Sequence, residues 1–403
     1  MEEFIRLGTP AFRRANLALF AAGWATFSLL YCVQPLLPEF GREFHVGAAA
    51  SALALSASTG MLGVCILFAG ALSDVWGRKA LMAASIFASA ALVVLSAIAP
   101  NWPALLLART LLGVSLSGVP AVAMTYLAEE MHPESIGLGM GLFIGGSAIG
   151  GMGGRLAVGV LADHLGWRAG VAWIGVVGVG SGVLFVRFLP GSRHFTPHPP
   201  RLAGLLDRYR RPWLDPALPW LFAEGFLLLG GFVTVYNYLA YRLMAPPYGL
   251  SQSEVGLIFA VYLVGTLSSA WVGHLGGRLG RHRVLWPMFA LMLGGVALTL
   301  FASLPWIVVG TAVITFGFFG GHSIASSWVG RRAGEARAQA SSLYSFAYYL
   351  GSSVAGASGG LFYAAGGWRR VAGFIGALWL VGLLIASGLA RRAIDRGTDP
   401  AAH

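Results

Sequence analysis

Charge is scarce in this chain. Asp, Glu, Lys and Arg make up 11% of its 403 residues, less than half of the roughly 25% carried by a soluble globular domain. With 57% hydrophobic residues and a mean hydropathy of +0.72, the composition excludes a water-soluble fold. Cysteine is almost missing. The two that occur, Cys32 and Cys65, fall inside long apolar runs, which excludes a disulfide framework and leaves them as small packing residues. Lysine occurs once, as Lys79. The sequence lacks a His/Cys set at metal-ligand spacing, a nucleophile elbow and a pair of membrane carboxylates, the clusters that a polytopic membrane enzyme would need. A cleavable leader is not evident either. The first apolar run is as long as a full span and has no convincing small-residue cleavage site, so it is expected to stay as the first helix.

Long apolar runs are what the chain has in quantity. Each bilayer crossing takes about 20 mostly apolar residues, and twelve such windows are predicted near 15–38, 48–70, 80–99, 102–127, 136–160, 168–189, 218–241, 252–274, 284–303, 305–329, 339–363 and 371–390. The net charge of +11 raises the question of nucleic acid. Yet the arginines are spread over short loops rather than gathered on one face. With the N-terminus inside, the outer loops hold only Arg42, Arg168, Arg242, Arg369 and Arg370 against a large excess on the inner side. The positive-inside rule then predicts both termini to be cytoplasmic. Arg109 and Arg155 remain inside spans, where a charge is costly and has to face protein or water.

Between the second and third windows lies Gly70-Ala71-Leu72-Ser73-Asp74-Val75-Trp76-Gly77-Arg78-Lys79, read as a ten-residue loop whose glycines allow a tight turn between antiparallel helices. The stretch recurs 203 residues later as residues 273–282. That copy keeps Gly70, Leu72, Gly77 and Arg78 as Gly273, Leu275, Gly280 and Arg281, but has Gly277 in place of Asp74. A second repeat links Gly146-Ser147-Ala148-Ile149-Gly150-Gly151-Met152-Gly153-Gly154 to residues 351–359, a glycine-rich face that lets helices approach closely. Residues 190–217, rich in proline, read as a linker. Within it Leu202, Leu205, Leu206 and Tyr209 alternate with Arg201, Arg208, Arg210 and Arg211, a basic amphipathic segment for the inner membrane surface. The expected domains are therefore a six-helix bundle over 1–189, the linker 190–217 and a second six-helix bundle over 218–403, and parallel repeats of this kind build many transporters.

The 70–79 stretch resembles the loop-two-three signature of the major facilitator superfamily, departing at Val75, where the family has a basic residue. Several longer stretches resemble the YnfM-type bacterial inner-membrane transport proteins, a branch near the arabinose-efflux-like exporters. They are residues 150–155, 221–226, 322–328 and 339–344. The resemblance implies an all-α membrane protein with the major facilitator fold, twelve transmembrane helices in two six-helix pseudo-repeats. It implies an inner-side latch of Gly70, Asp74, Gly77 and Arg78 with Glu129 and Glu130. Arg109 with Gly113 is similar to the family's fourth-helix signature, although Leu112 stands at a usually polar position. Residues 146–155 are similar to an antiporter signature linked with exporters, departing where Gly151 replaces a proline and Arg155 a glycine. Gly146, Gly150, Gly151 and Gly154 are its expected packing glycines.

Candidate cavity residues are Tyr31, Gln34, Arg109, Arg155, Tyr236 and Asn237. Tyr31 and Gln34 precede Pro35 and Pro38 and face either a cavity or the outer interface, where tyrosine is common. Arg109 and Arg155, two like charges in the outer halves of their helices, call for an anion or shared acceptors. Glu224 is the carboxylate well inside a span and His322 the histidine well inside one. Glu224 is expected to carry a coupled proton with His322 as partner, while Tyr344, Tyr348 and Tyr349 read as packing residues. The expected function is secondary active transport of a small organic solute or drug-like compound by alternating access, as proton-coupled efflux. Uptake of a small, anionic metabolite is the alternative, and a membrane enzyme or sensor a more distant one. Expected partners are the solute, protons and the lipid bilayer of a bacterial inner membrane. No nucleic acid, cofactor or metal is expected, and the chain is expected to act as a monomer.

Overall fold

The computed structural model describes residues 4–196 and 205–395. The expected linker positions 197–204, with Arg201 and Leu202 of the amphipathic segment, lie outside the described residues. Long helices dominate. They are α1 (Pro10–Tyr31), α2 (Ala48–Trp76), α3 (Arg78–Ala97), α4 (Trp102–Glu130), α5 (Pro133–Leu165), α6 (Trp167–Phe188), α7 (Leu218–Met244), α8 (Gln252–Leu279), α9 (Arg281–Leu298) and α10 (Leu304–Arg332). The run Arg337–Asp395 leaves helical geometry at Gly366 and Gly367, which separates α11 (337–365) from α12 (368–395). These helices fall on the twelve apolar windows. Arg281–Leu298, at 18 residues, is the shortest.

Local chemistry sets the breaks. α1 ends at Tyr31 because Pro35 has no N–H to continue the ladder, and the chain goes on through a 3-10 turn, Gln34–Leu36, and a short helix, Leu37–Glu43. α4 is interrupted between Leu116 and Pro120 for the same reason. Residues 70–79 correct the sequence reading. They are not a loop, because α2 runs to Trp76 and α3 starts at Arg78. Nothing from Ala71 to Trp76 blocks a helix, so the turn is made by Gly77 alone, at φ 87°, a conformation that a Cβ would strain. The repeat does the same at Gly280, φ 89°.

The chain divides into two compact units. Unit 1 holds Met1–Phe44, Ala57–Arg201 and Ser251–Leu257, and unit 2 holds His45–Ser56, Leu202–Leu250 and Ile258–His403. In unit 1 the α5 stripe packs against the α1 backbone. A Cβ added at Gly146, Gly150 or Gly154 would collide with Phe20, Trp24 or Ser28 respectively. Gly151 does not share that role, since an added Cβ would meet only Phe27 and Arg155 atoms at 3.4 Å or more. In unit 2 Gly351 lies equally close to Phe226 and Gly359 to Tyr238. The early turn of α2, which belongs to unit 2, brings Ala49 against Gly360.

Candidate functional site

At the inner turn of unit 1, Arg78 gathers the charges. Its Nε and Nη2 donate to the two Glu129 oxygens at 3.0 and 2.7 Å, and its Nη1 donates to Asp74 Oδ1 at 2.5 Å and to Ser73 Oγ. The guanidinium also lies 5.0 Å from the Phe195 ring centroid. Arg78 is 8% exposed and Asp74 44%. The bidentate Glu129 contact is therefore the stronger one, and the Asp74 contact falls in the range of about 0–1 kcal/mol of exposed pairs. Glu130 does not join this network. It accepts from His194 N at 2.9 Å and lies 3.1 Å from His194 Nδ1, while the Phe4 ring stacks on His194 at 4.3 Å. Gly70 sits inside α2 with open space where a Cβ would be, so close packing does not require a glycine there.

The outer end of α1 collects Arg109 and Arg155, both buried. Arg109, 0% exposed, donates to the carbonyls of Leu29 and Leu30 at 3.2 and 2.5 Å. These belong to the last turn of α1, where carbonyls lack helical partners and the helix dipole favours a cation. Arg155, 1% exposed, donates to Gln34 Oε1 at 2.7 Å and to Gly151 O at 2.6 Å, with the Tyr31 ring 4.1 Å beneath it. Tyr31, Gln34, Arg109 and Arg155 thus form one cluster. Arg109 bonds the two α1 carbonyls, and Arg155 bonds Gln34 and Gly151. The thiol of Cys32 donates to Leu29 O at 3.5 Å beside this cluster.

Unit 2 carries the other candidates. Tyr236 and Asn237 are buried. The Tyr236 hydroxyl bonds Thr315 Oγ1 at 2.8 Å, and its ring stacks on Phe259 at 5.0 Å. Asn237 packs beside Gly356. Glu224 is 0% exposed and neither of its oxygens has a hydrogen-bond partner among the described residues. His322 is not its direct partner, contrary to the expectation. The imidazole Nδ1 lies 2.9 Å from the Tyr344 hydroxyl instead, because the Tyr344 ring fills the space over Gly225, next to Glu224. Sequence reading took Tyr344 as packing and did not single out His194 or Phe195. A tyrosine inside a largely apolar helix carries no signal of its own. Its role shows once α7, α10 and α11 are placed together.

Comparison with known proteins follows from this geometry. The profile of the family described as "Major Facilitator Superfamily" matches residues 19–246 and 221–401. The chain is 48% identical to the inner membrane transport protein YnfM of Escherichia coli K12, over 97% of this chain and 94% of that protein. It is 46% identical to the uncharacterized MFS-type transporter YybF of Bacillus subtilis 168, over 96% of each. Among solved structures, a bacterial homolog of the human lysosomal transporter Spinster, inward-facing and unoccupied, superposes with a TM-score of 0.80. It is 14% identical and covers 98% of this chain and 100% of that one, a likeness of fold.

Proposed function

The chain belongs to the Major Facilitator Superfamily, and from that membership we propose that it moves a small organic solute outward by alternating access, in exchange for protons. As a member it is a membrane transport protein and not an enzyme, with twelve helices in two halves and a place in the inner membrane. Glu224 is the observation that carries the coupled-proton reading. An ionised carboxyl buried with no donor costs several kcal/mol, so burial of this side chain is tolerable with a proton on it. A state of the transporter that brings water or a donor to Glu224 releases that proton. The linkage makes solute movement and proton movement two faces of one conformational change.

Other residues take supporting roles. Arg109 and Arg155 fix the outer end of α1, and Asp74, Arg78 and Glu129 act as an inner latch that rearranges during the cycle. Export rather than uptake is supported by the glycine face from Gly146 to Gly154, which resembles the exporter signature.

The test begins with a thermal-shift screen on purified protein, in which a ligand of the native state raises its apparent stability. The hit is then followed in proteoliposomes under imposed pH gradients of either sign. Exchange for protons accumulates the solute in the acidic compartment, and accumulation in the alkaline one would overturn the direction. Glu224→Gln is expected to bind the solute and lose uphill accumulation.

A further inference from the structure

Glu224 and His322 differ in what can reach them. The His322 imidazole is half-buried, whereas Glu224 is 0% and Tyr344 3% exposed. Tyr344 lies between the histidine and the backbone next to Glu224. Its hydroxyl is 2.9 Å from His322 Nδ1, and its ring lies 2.8 Å from where a Cβ on Gly225 would sit. Beside the imidazole lie the Tyr348 ring, at 4.5 Å between centroids, and the Phe318 ring, at 6.2 Å. The titratable groups gathered here are Glu224 from α7, His322 from α10, and Tyr344 and Tyr348 from α11. No ion pair among the described residues involves Glu224 or His322.

We propose that the Tyr344 hydroxyl is the relay through which a proton passes between His322 and Glu224. The proposal rests on the reading of Glu224 as the proton site. In the uptake direction, the imidazolium Nδ1–H bond breaks and its proton goes to Tyr344 Oη, while the proton already on Oη goes to a Glu224 oxygen. Tyrosine holds one proton before and after. The net change turns imidazolium and carboxylate into imidazole and carboxylic acid, with no other reactant, and release runs in reverse. Glu224 has no hydrogen bond to surrender in swinging onto Oη. A hydroxyl that donates with one lone pair free can hand on one proton as it receives another.

The experiment follows the protonated-carboxyl stretch by time-resolved infrared spectroscopy after a pH jump, on the full chain in lipid vesicles, with protons as the probe. Glu224→Gln identifies the band. Tyr344→Phe keeps the ring against Gly225 and removes the relay. It is expected to slow the band's appearance by about a hundredfold, in the range of positioned acid–base groups, with an unchanged end point. His322→Gln is expected to slow it similarly, and Tyr348→Phe to leave it as in the wild type. A wild-type rate in Tyr344→Phe or in His322→Gln overturns the relay while the Glu224 reading stands. A spectrum in which Glu224→Gln removes no titrating band overturns both.

Discussion

Unit 1 buries Arg109 and Arg155 and surrounds each guanidinium with oxygen acceptors, whereas unit 2 buries Glu224 and leaves both of its oxygens without a hydrogen bond. A charge enclosed by the carbonyls of a helix end has no reason to change its state. A carboxyl with no donor holds a proton while it is buried and gives it up when its surroundings change. On the proposed function the first arrangement is an anchor and the second a switch. The repeated inner turn divides in the same way. Gly77 and Gly280 share one backbone geometry, but Arg78 has two carboxylates around it where the Nε of Arg281 donates to Ser327 Oγ at 3.0 Å. The fold repeats the backbone device, while the sequence puts Gly277 where the first copy has Asp74.

Stability is the sharpest way to break the contrast between anchor and switch. Arg109→Ala removes the donor to two buried carbonyls, of which Leu29 O keeps only the weak Cys32 thiol bond, and is expected to cost on the order of 3 kcal/mol, at about 1–3 kcal/mol per buried group left without a good partner. Glu224→Gln is expected to keep stability within about 1 kcal/mol of the wild type, because a protonated carboxyl gives way to a neutral amide of similar size and similar unmet polarity. Thermal unfolding of the two purified variants decides this. Equal losses would mean that Glu224 is held as firmly as Arg109.

Transport separates the two inner turns. Asp74→Asn weakens a half-exposed contact, so folding should survive, while the transport rate should fall by about thirtyfold or more, equal to about 2 kcal/mol of barrier. Ser327→Ala, which alters the second copy, is expected to transport as the wild type does. A normal rate in Asp74→Asn would remove the latch.

The backbone device calls for equal outcomes instead. Gly77→Ala and Gly280→Ala each force a Cβ into a left-handed conformation and should each cost about 1–2 kcal/mol. Unequal unfolding shifts would show that one turn can move where the other cannot.

The smallest effect lies at Asp215, outside the membrane-spanning helices. Partial burial pushes its carboxyl up, but the hydrogen bond from Arg332, the Ala217 and Leu218 amides and the Arg332 charge outweigh that and hold it below its ordinary range. A carboxyl depressed in the folded state stabilises above its unfolded pKa of about 4, and the contribution is lost as pH falls through the folded value. Solvent screening keeps it under about 1 kcal/mol. Unfolding midpoints of wild type and Asp215→Asn should differ near neutral pH and converge in acid.

The sequence by itself determined the twelve helices, the internal repeat and the family. Each of these rests on properties that short stretches carry alone, namely apolar runs of span length, glycines at fixed offsets and a nearly complete ten-residue signature. It also singled out Arg78, Arg109, Arg155 and Glu224, since a charge in an apolar run is conspicuous before any folding. Tertiary structure decided the partners. Residues 70–76 became helix once a single glycine could make the turn, Glu130 went to His194 while Glu129 took Arg78, and the carbonyls of Leu29 and Leu30 became the acceptors for Arg109. Tyr344 came between His322 and Gly225, 22 residues from the histidine along the chain. Partner choice depends on which faces of distant helices meet, and hydrophobic periodicity states that a face is buried without stating against what.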